Sequence, residues 1–141
     1  MPDSTYTHGY NAMSDYMARR HELQARFVMP HLRSDAHVLD VGCGPGTISL
    51  SLAAHVGRVV GVDVAEEEGA RARAEASRRN TANADFRQGD GLALPFPDDA
   101  FDVVYANGVV EHVWQPVDPI REMLRVARPG GVVALRTSGE Q

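Results

Sequence analysis

A glycine-rich segment, Asp40-Val-Gly42-Cys43-Gly44-Pro-Gly46, holds the residues of this sequence that are best suited to bind a ligand. It lies between a buried apolar stretch and a helical pattern, so it predicts a turn between a strand and a helix. Glycines there let the backbone turn sharply and approach a ligand closely. The spacing is G-x-G-x-G, whereas dinucleotide enzymes typically have G-x-G-x-x-G. Asp40 is a poor neighbour for a pyrophosphate and favours a ligand with positive charge; the alternative is a turn that binds nothing.

Polar residues also follow the next strands. Asp63 ends the second apolar strand, Asp90-Gly91 follows the third, and Asn107 closes the fourth. In open α/β sheets ligands bind outside the carboxyl ends of the strands, so we expect these residues in one crevice with the glycine segment. Asp63 can accept hydrogen bonds from both hydroxyls of a ribose, and Asp90 from an adenine amino group. The alternatives are a solvated loop aspartate at position 63 and a turn aspartate at position 90.

The elements that must position these residues alternate along the chain. Strands that are apolar on both faces, separated by helical patterns, predict an α/β fold with a parallel sheet and helices on both faces. The predicted strands span residues 37–41, 59–64, 84–88, 101–106 and 132–137, and the predicted helices after the first strand span 47–56, 66–79 and 117–127, with a turn at 129–131.

Composition narrows the class of protein. The chain has 141 residues and a formal net charge of −5, which disfavours a broad surface for nucleic acid. Its one cysteine, Cys43, excludes an internal disulfide and fits a reducing compartment. The sequence shows no apolar run near the roughly 20 residues that span a bilayer. We therefore expect a cytoplasmic protein with no nucleic-acid or membrane partner.

Five motifs in order resemble the class I S-adenosylmethionine-dependent methyltransferases, which have a Rossmann-like fold. The first two are VLDVGCGPGT and GVDVA, the third and fourth are contained in QGDGLALPFPDDAFDVVYANGVVEHV, and the fifth is REMLRVARPGGVVALRT. The likeness covers residues 36–137 and is strongest to the branch with quinone-biosynthesis C-methyltransferases and many small-molecule methyltransferases.

The resemblance implies S-adenosylmethionine as cofactor and transfer of its methyl group to a small-molecule acceptor by in-line displacement. It implies that Asp40 orders the methionine end of the cofactor, Asp63 the ribose and Asp90 the adenine, while the backbone of Asn107 holds the amino group. The residues that we expect to bind the cofactor share the strand ends and the loops after them: Asp40, Gly42, Cys43, Gly44, Gly46, Asp63, Val64, Asp90, Gly91 and Asn107.

Two candidates for proton transfer, Glu111 and His112, follow the fourth strand. A base is needed only if the acceptor must lose a proton. For His112, packing beneath the substrate loop is the alternative. Such a Glu-His pair helps to hold a divalent metal in some quinone O-methyltransferases. The earlier glutamate of that pattern is replaced here, at or near Val109, so we expect no metal.

The resemblance also divides the chain. We expect residues 1–35 to form an N-terminal segment with an amphipathic lid helix, and residues 36–141 to form the cofactor-binding domain. The family sheet has the strand order 3-2-1-4-5-7-6, and this sequence supplies strands as far as the fifth, so we expect the sheet to end there. An exposed strand edge recruits partners, which favours a homodimer through residues 132–137. The alternative function is a cofactor-binding fragment without turnover of its own.

Overall fold

A computed structural model describes residues 28–107 and 117–136. After a short 3-10 turn, Met29–His31, the order of elements is β1 (His37–Val41), α1 (Thr47–Ala53), β2 (Arg58–Asp63), α2 (Glu66–Arg78), β3 (Ala84–Gln88), β4 (Phe101–Asn107), α3 (Val117–Val126) and β5 (Ala127–Arg136). Within these ranges no helix is long and apolar enough to cross a membrane.

The five strands form one parallel sheet in the order β3-β2-β1-β4-β5. β1 lies at the centre, where Val38 pairs with Val59 of β2 and Val103 of β4. All residues of β1 after His37 are buried. The predicted Rossmann-like α/β fold is thereby confirmed, because parallel strands buried on both faces require helices on each side.

Alternate residues of the central strands pack against different layers. On one face, Val38 and Val59 lie in a cluster with Leu52 of α1, and α2 covers the neighbouring part of the same face. On the other face, Leu39 and Val60 lie in a cluster with α3 and with the loop that follows β3. Both faces of the sheet are thus buried against other layers, and its strand ends are left to carry a site.

The N-terminal segment reaches the sheet through Val28, which is fully buried beside Val38. The rest of the predicted lid helix lies outside the described residues.

Most element bounds agree with the predictions within one residue, but α1 ends at Ala53 and not at 56. The backbone N–H groups of Gly57 and Arg58 both donate to the carbonyl oxygen of Ala36, at 3.0 and 3.1 Å. These bonds bring the chain back beside β1, so the last residues of the predicted helix form the turn that starts β2.

The start of β5 was predicted wrongly. The strand begins at Ala127, directly after α3, and the predicted turn at 129–131 is an irregularity inside it. Ala127 pairs with Phe101, and the register then shifts so that Val132 pairs with Val103. Gly130 has φ +82°, and a Cβ on Gly131 would lie 2.7 Å from the carbonyl oxygen of Asp102. Glycine at these positions lets β5 bend and still approach β4.

Candidate functional site

The predicted ligand-binding segments meet at the carboxyl edge of the sheet. Val41, the last residue of β1, pairs with Val62 of β2 and with Ala106 of β4. The loop after β3 reaches the same edge, because a Cβ on Gly91 would lie 3.8 Å from Cγ1 of Val41. The segments that begin at Gly42, Val64 and Gly89 therefore leave the sheet side by side, next to the end of β4.

The glycine loop after β1 is fixed by its backbone to the end of β2. The N–H groups of Gly42 and Cys43 donate to the carbonyl oxygen of Val62, at 2.8 and 3.0 Å. The N–H of Gly44 donates to Oδ2 of Asp63 at 2.9 Å. Gly44 has φ +56°, and no heavy atom lies within 4 Å of the position that its Cβ would occupy. The backbone at Gly44 therefore faces open space that a ligand can enter.

Gly46 is explained by packing inside the protein. A Cβ on it would lie 2.9 Å from Cβ of Ala72 in α2 and 3.0 Å from the ring of Phe86 in β3. Gly61, which was not predicted from the sequence, has the same function, because a Cβ on it would lie 2.7 Å from the Phe86 ring and 2.8 Å from Sγ of Cys43. The side chain of Cys43 thus lies in the core, and only its backbone borders the crevice.

Asp63 is the side chain that closes the glycine loop. Its Oδ1 accepts a hydrogen bond from the N–H of Ala65 at 3.0 Å, while Oδ2 accepts the bond from Gly44. The two oxygens of a carboxylate offer about four acceptor positions, so further bonds to a ligand are compatible with these two. Asp63 is therefore both a structural tie and a candidate binding group.

Asp40 lies beneath the loop and is 3% exposed. Ser49 of α1 donates its hydroxyl to Oδ2 of Asp40 at 2.6 Å, and the buried Tyr105 hydroxyl of β4 is hydrogen-bonded to the same carboxyl. The pKa of Asp40 is raised to about 7, chiefly by burial and also by the nearby negative charge of Asp63, because these two effects outweigh the two hydrogen bonds. A negative charge that develops at neutral pH thus lies under the loop.

Ser49 and Tyr105 were not predicted from the sequence. Tyr105 pairs with Asp40 in the β1–β4 register, so the alternation of β4 places its side chain on the same face. A polar pair on facing strands is the signal that predicts such a contact, but it requires the register to be known.

Carboxyl groups surround the loop. The pKa of the Cys43 thiol is raised by burial first and then by the negative charges of Asp40, Asp63 and Glu68. These groups are near enough to make the electrostatic potential at the loop negative. A cationic ligand is favoured there, and a pyrophosphate is disfavoured.

The other side of the crevice has apolar surface next to a tight turn. Val64 is 70% exposed and Leu92 is 50% exposed, which is unusual for side chains of this size. Asp90 accepts a hydrogen bond from the N–H of Leu92 on Oδ1 at 2.9 Å, and one from Ala93 on its carbonyl oxygen. Asp90 therefore shapes the turn, as the alternative interpretation of this residue predicted. Its exposed carboxylate retains further acceptor positions for a ligand.

Three predicted site residues stand at the end of β4 or after it in the sequence. Glu111 and His112 lie outside the described residues, and only the backbone of Asn107 is described, as the last residue of β4. A cavity of about 230 Å³ lies at the opposite edge of the sheet, lined by the first residues of β1, β2 and β4. It contains none of the predicted site residues.

Fold and site together define a Rossmann-like domain of the type that binds a nucleoside-containing cofactor at the strand ends. Residues 39–135 match a family model described as a methyltransferase domain. The chain belongs to this family, that of the class I S-adenosylmethionine-dependent methyltransferases.

Named relatives agree with this membership. The chain is 32% identical to the probable methyltransferase ltbC of Aspergillus luteorubrus, over 98% of this chain and 53% of that protein. It is 34% identical to a demethylmenaquinone methyltransferase of Symbiobacterium thermophilum, over 86% and 51%. The crystal structure of the YcgJ protein of Bacillus subtilis superimposes with a TM-score of 0.76 at 30% identity, over 82% and 50%. The chain thus spans about half the length of the proteins that it matches.

The residues present fit the cofactor of this family, S-adenosylmethionine. Its sulfonium carries a positive charge, which suits the carboxyl groups around the loop. The open space at Gly44 allows the close approach of backbone and ligand that a Cβ would prevent.

We predict that Gly44→Ala weakens binding of S-adenosylhomocysteine at least tenfold, because the new Cβ occupies the space that the ligand needs. Gly130→Ala is the matched control, since Gly130 also has a positive φ and no heavy atom within 4 Å of a Cβ. Each substitution costs roughly 1 kcal/mol of folding free energy. Calorimetric titration measures the affinity for S-adenosylhomocysteine, and urea unfolding measures the folding free energy. Equal affinities of the two variants would contradict a ligand at Gly44.

We predict that Asp40→Asn changes the pH dependence of folding. The raised pKa means that Asp40 binds a proton more tightly in the folded protein than in the unfolded chain, so its contribution to the free energy of unfolding falls as pH rises from 4 to about 7. Asparagine cannot titrate. The variant should therefore gain on the order of 2–3 kcal/mol relative to wild type between pH 5 and 8.

Urea unfolding at each pH measures this difference between variant and wild type. The contributions of the other carboxylates to the free energy of unfolding are the same in both proteins, so they cancel. Asp102→Asn is the control, because the pKa of Asp102 is lowered, chiefly by the hydrogen bond from the N–H of His37. That variant should be offset from wild type by a constant amount in this range. A constant offset for Asp40→Asn as well would contradict the raised pKa.

Proposed function

We propose that this chain forms the cofactor-binding part of a methyltransferase that transfers a methyl group from S-adenosylmethionine to a small-molecule acceptor. The observation that carries the proposal is the glycine loop tied to Asp63, with open space at Gly44 and carboxyl groups around it. A cofactor-binding fragment without turnover of its own is the alternative, because the chain spans about half of its relatives.

On this proposal the two sides of the crevice bind different parts of the cofactor. Asp63 accepts hydrogen bonds from the ribose hydroxyls, which are charge-assisted bonds worth roughly 1.5–3 kcal/mol each. The loop from Gly42 to Gly46 and the negative charge of Asp40 lie at the methionine end, with the backbone of Asn107 near the amino group. Since Asp40 is buried, it acts on that end through the electrostatic potential and through the loop above it.

In this proposal the adenine lies at the other side of the crevice, between the apolar side chains of Val64 and Leu92. Val64 and Leu92 are exposed where the chain leaves β2 and β3, and burying them against a flat ring removes apolar area from water. The carboxylate of Asp90 accepts a hydrogen bond from the adenine amino group, and Gly91 leaves room beside Val41.

Methyl transfer requires little chemistry from the protein. When bound, the cofactor supplies a methyl group that its sulfonium already activates. The protein orients the acceptor in line with that methyl group and excludes water, and such positioning can lower a barrier by roughly 7–11 kcal/mol. Glu111 and His112 are the proposed bases for acceptors that must lose a proton.

The acceptor is proposed to be a small organic molecule. Demethylmenaquinone is the acceptor named for one relative, and the net charge of −5 disfavours nucleic acid. The same composition, with its single cysteine, supports a cytoplasmic location.

Calorimetry with S-adenosylmethionine, S-adenosylhomocysteine and NAD tests the proposal. We predict micromolar binding of the first two and no binding of NAD, because the carboxyl groups at the loop repel a pyrophosphate. Binding of NAD alone would refute the proposal. Binding of S-adenosylmethionine without conversion to S-adenosylhomocysteine on quinone-like acceptors would favour the fragment alternative.

The ribose contact needs a sharper experiment, because Asp63→Ala also releases Gly44. We predict that removing both ribose hydroxyls from S-adenosylhomocysteine weakens binding to wild type at least tenfold, but weakens binding to Asp63→Ala less than threefold. Gly44→Ala serves as the control, since it lowers overall affinity but should keep the wild-type preference for the hydroxyls. A hydroxyl preference that survives in Asp63→Ala would disprove the ribose contact.

A homodimer through β5 is also proposed. In the described part of the chain β5 pairs with β4 alone, and Leu135 near its end is 37% exposed. We predict that light scattering detects a concentration-dependent dimer, which Leu135→Lys abolishes because a charge opposes edge pairing. Leu92→Lys, in an exposed loop beside the opposite edge of the sheet, should leave the dimer intact. A constant monomer mass for wild type would refute edge pairing.

A further inference from the structure

The loop between β3 and β4, residues 89–100, is bonded to α3 at several points, and most of these bonds involve the ion pair of Glu122 and Arg125. Arg125 donates to Oε2 of Glu122 through Nε at 2.8 Å and to Oε1 through Nη2 at 3.0 Å. The same guanidinium donates to the carbonyl oxygens of Leu94 and Phe96, at 3.0 and 2.9 Å, and to the carboxylate of Asp98 at 2.9 Å. One side chain thus organises most of the loop.

Leu94 is held at both of its backbone polar groups. Its N–H donates to Oε1 of Glu122 at 2.7 Å, and its carbonyl oxygen accepts the bond from Arg125. Its side chain is 4% exposed and lies in the core cluster that includes Met123 of α3. Leu94 is therefore a fixed point of the loop.

The end of the loop is bonded to α3 as well. The N–H groups of Asp99 and Ala100 donate to the carbonyl oxygens of Arg125 and Val126, at 3.0 and 2.7 Å. The hydrogen bonds with Glu122 lower its pKa, and the pKa of Arg125 is raised chiefly by its bond to Glu122, so both groups stay charged across the neutral range. The ion pair therefore stays charged at neutral pH and is not a titrating switch.

We propose that the Glu122–Arg125 pair is a positioning device for the turn at residues 90–93, and that it thereby sets how strictly the site distinguishes adenine from other bases. This rests on the proposed function. Asp90 and Leu94 are four residues apart, with the hydrogen-bonded turn from Asp90 to Ala93 between them. β3 fixes the turn on one side, and the ion pair fixes it on the other.

The chemistry explains why the position of this turn affects base recognition. Asp90 accepts from the amino group of adenine, and hypoxanthine has a carbonyl oxygen at that place, which a carboxylate repels. The discrimination depends on holding the carboxylate near the ring edge, because repulsion falls with distance and with solvent screening. A turn released from Leu94 can move Asp90 away from the base, and the preference for adenine then falls.

Arginine has a specific function here. Its planar guanidinium donates several hydrogen bonds in fixed directions, so it can bind Glu122 and two carbonyl oxygens at once. Lysine keeps the charge but offers one compact ammonium group, which cannot span these partners. Arg125→Lys therefore separates the geometry of the attachment from its charge.

The test compares binding of S-adenosylhomocysteine with binding of S-inosylhomocysteine, which carries hypoxanthine. In wild type we expect the adenine ligand to bind at least tenfold more tightly. In Arg125→Met and Arg125→Lys we expect this ratio to fall below threefold, while the preference for the ribose hydroxyls stays at its wild-type value. The matched control is Arg121→Met, on the same helix, since Arg121 is exposed and donates no hydrogen bond to the loop in the described part of the chain.

The outcomes are distinguishable. A wild-type base ratio in folded Arg125→Met means that the pair only braces the fold, and it overturns the inference. If Arg125→Met does not fold, the base ratio of Arg125→Lys decides: a wild-type ratio in that variant overturns the inference. Wild type that binds neither ligand refutes the proposed function and this inference together. Wild type that binds with an Asp63-dependent hydroxyl preference, but with an equal base ratio in all variants, refutes this inference alone.

Discussion

The glycine loop after β1 takes its shape from the end of β2, and the rest of the site depends on this attachment. The carbonyl oxygen of Val62 accepts from Gly42 and Cys43, and the carboxylate of Asp63 accepts from Gly44. Buried backbone N–H groups must find acceptors, so the loop cannot relax without breaking these bonds. The pairing of Val41 with Val62 therefore determines where the loop lies, so the register of the sheet sets the geometry of the site.

The attachment of the loop to β2 also requires small residues around the loop. Gly46 and Gly61 leave room for the ring of Phe86, and Ala72 of α2 packs against Gly46. Larger side chains there would push α2 and the loop apart, because protein interiors have few voids to absorb an added carbon. The short distance between loop and helix is thus a packing requirement and not a ligand requirement.

Asp40 is a carboxyl group whose ionised form is disfavoured by burial in the folded protein. A buried carboxylate is costly, and the hydrogen bonds from Ser49 and Tyr105 offset only part of that cost, so its pKa stays near neutrality. Such a group stabilises little by itself. It gives the loop a negative potential that a cationic ligand can use, which connects an unfavourable folding contribution to the proposed binding function.

The sequence by itself determined the parallel α/β sheet, nearly all element bounds and the set of segments that meet at its carboxyl edge. Apolar periodicity and the glycine motif are local signals, and parallel strands bring their ends to one edge in any α/β sheet. Asp63 was predicted to lie at this edge because it stands where a strand pattern stops, and it is the last residue of β2.

Only the tertiary structure decided which function each of these residues has within the fold. The core packing of Gly46, the partners of Asp40 and the attachment of Leu94 by Glu122 and Arg125 are all contacts between different elements of the fold. The early start of β5 belongs with them, because it depends on pairing with Phe101. Such contacts depend on register and packing, and no local pattern encodes a register between strands.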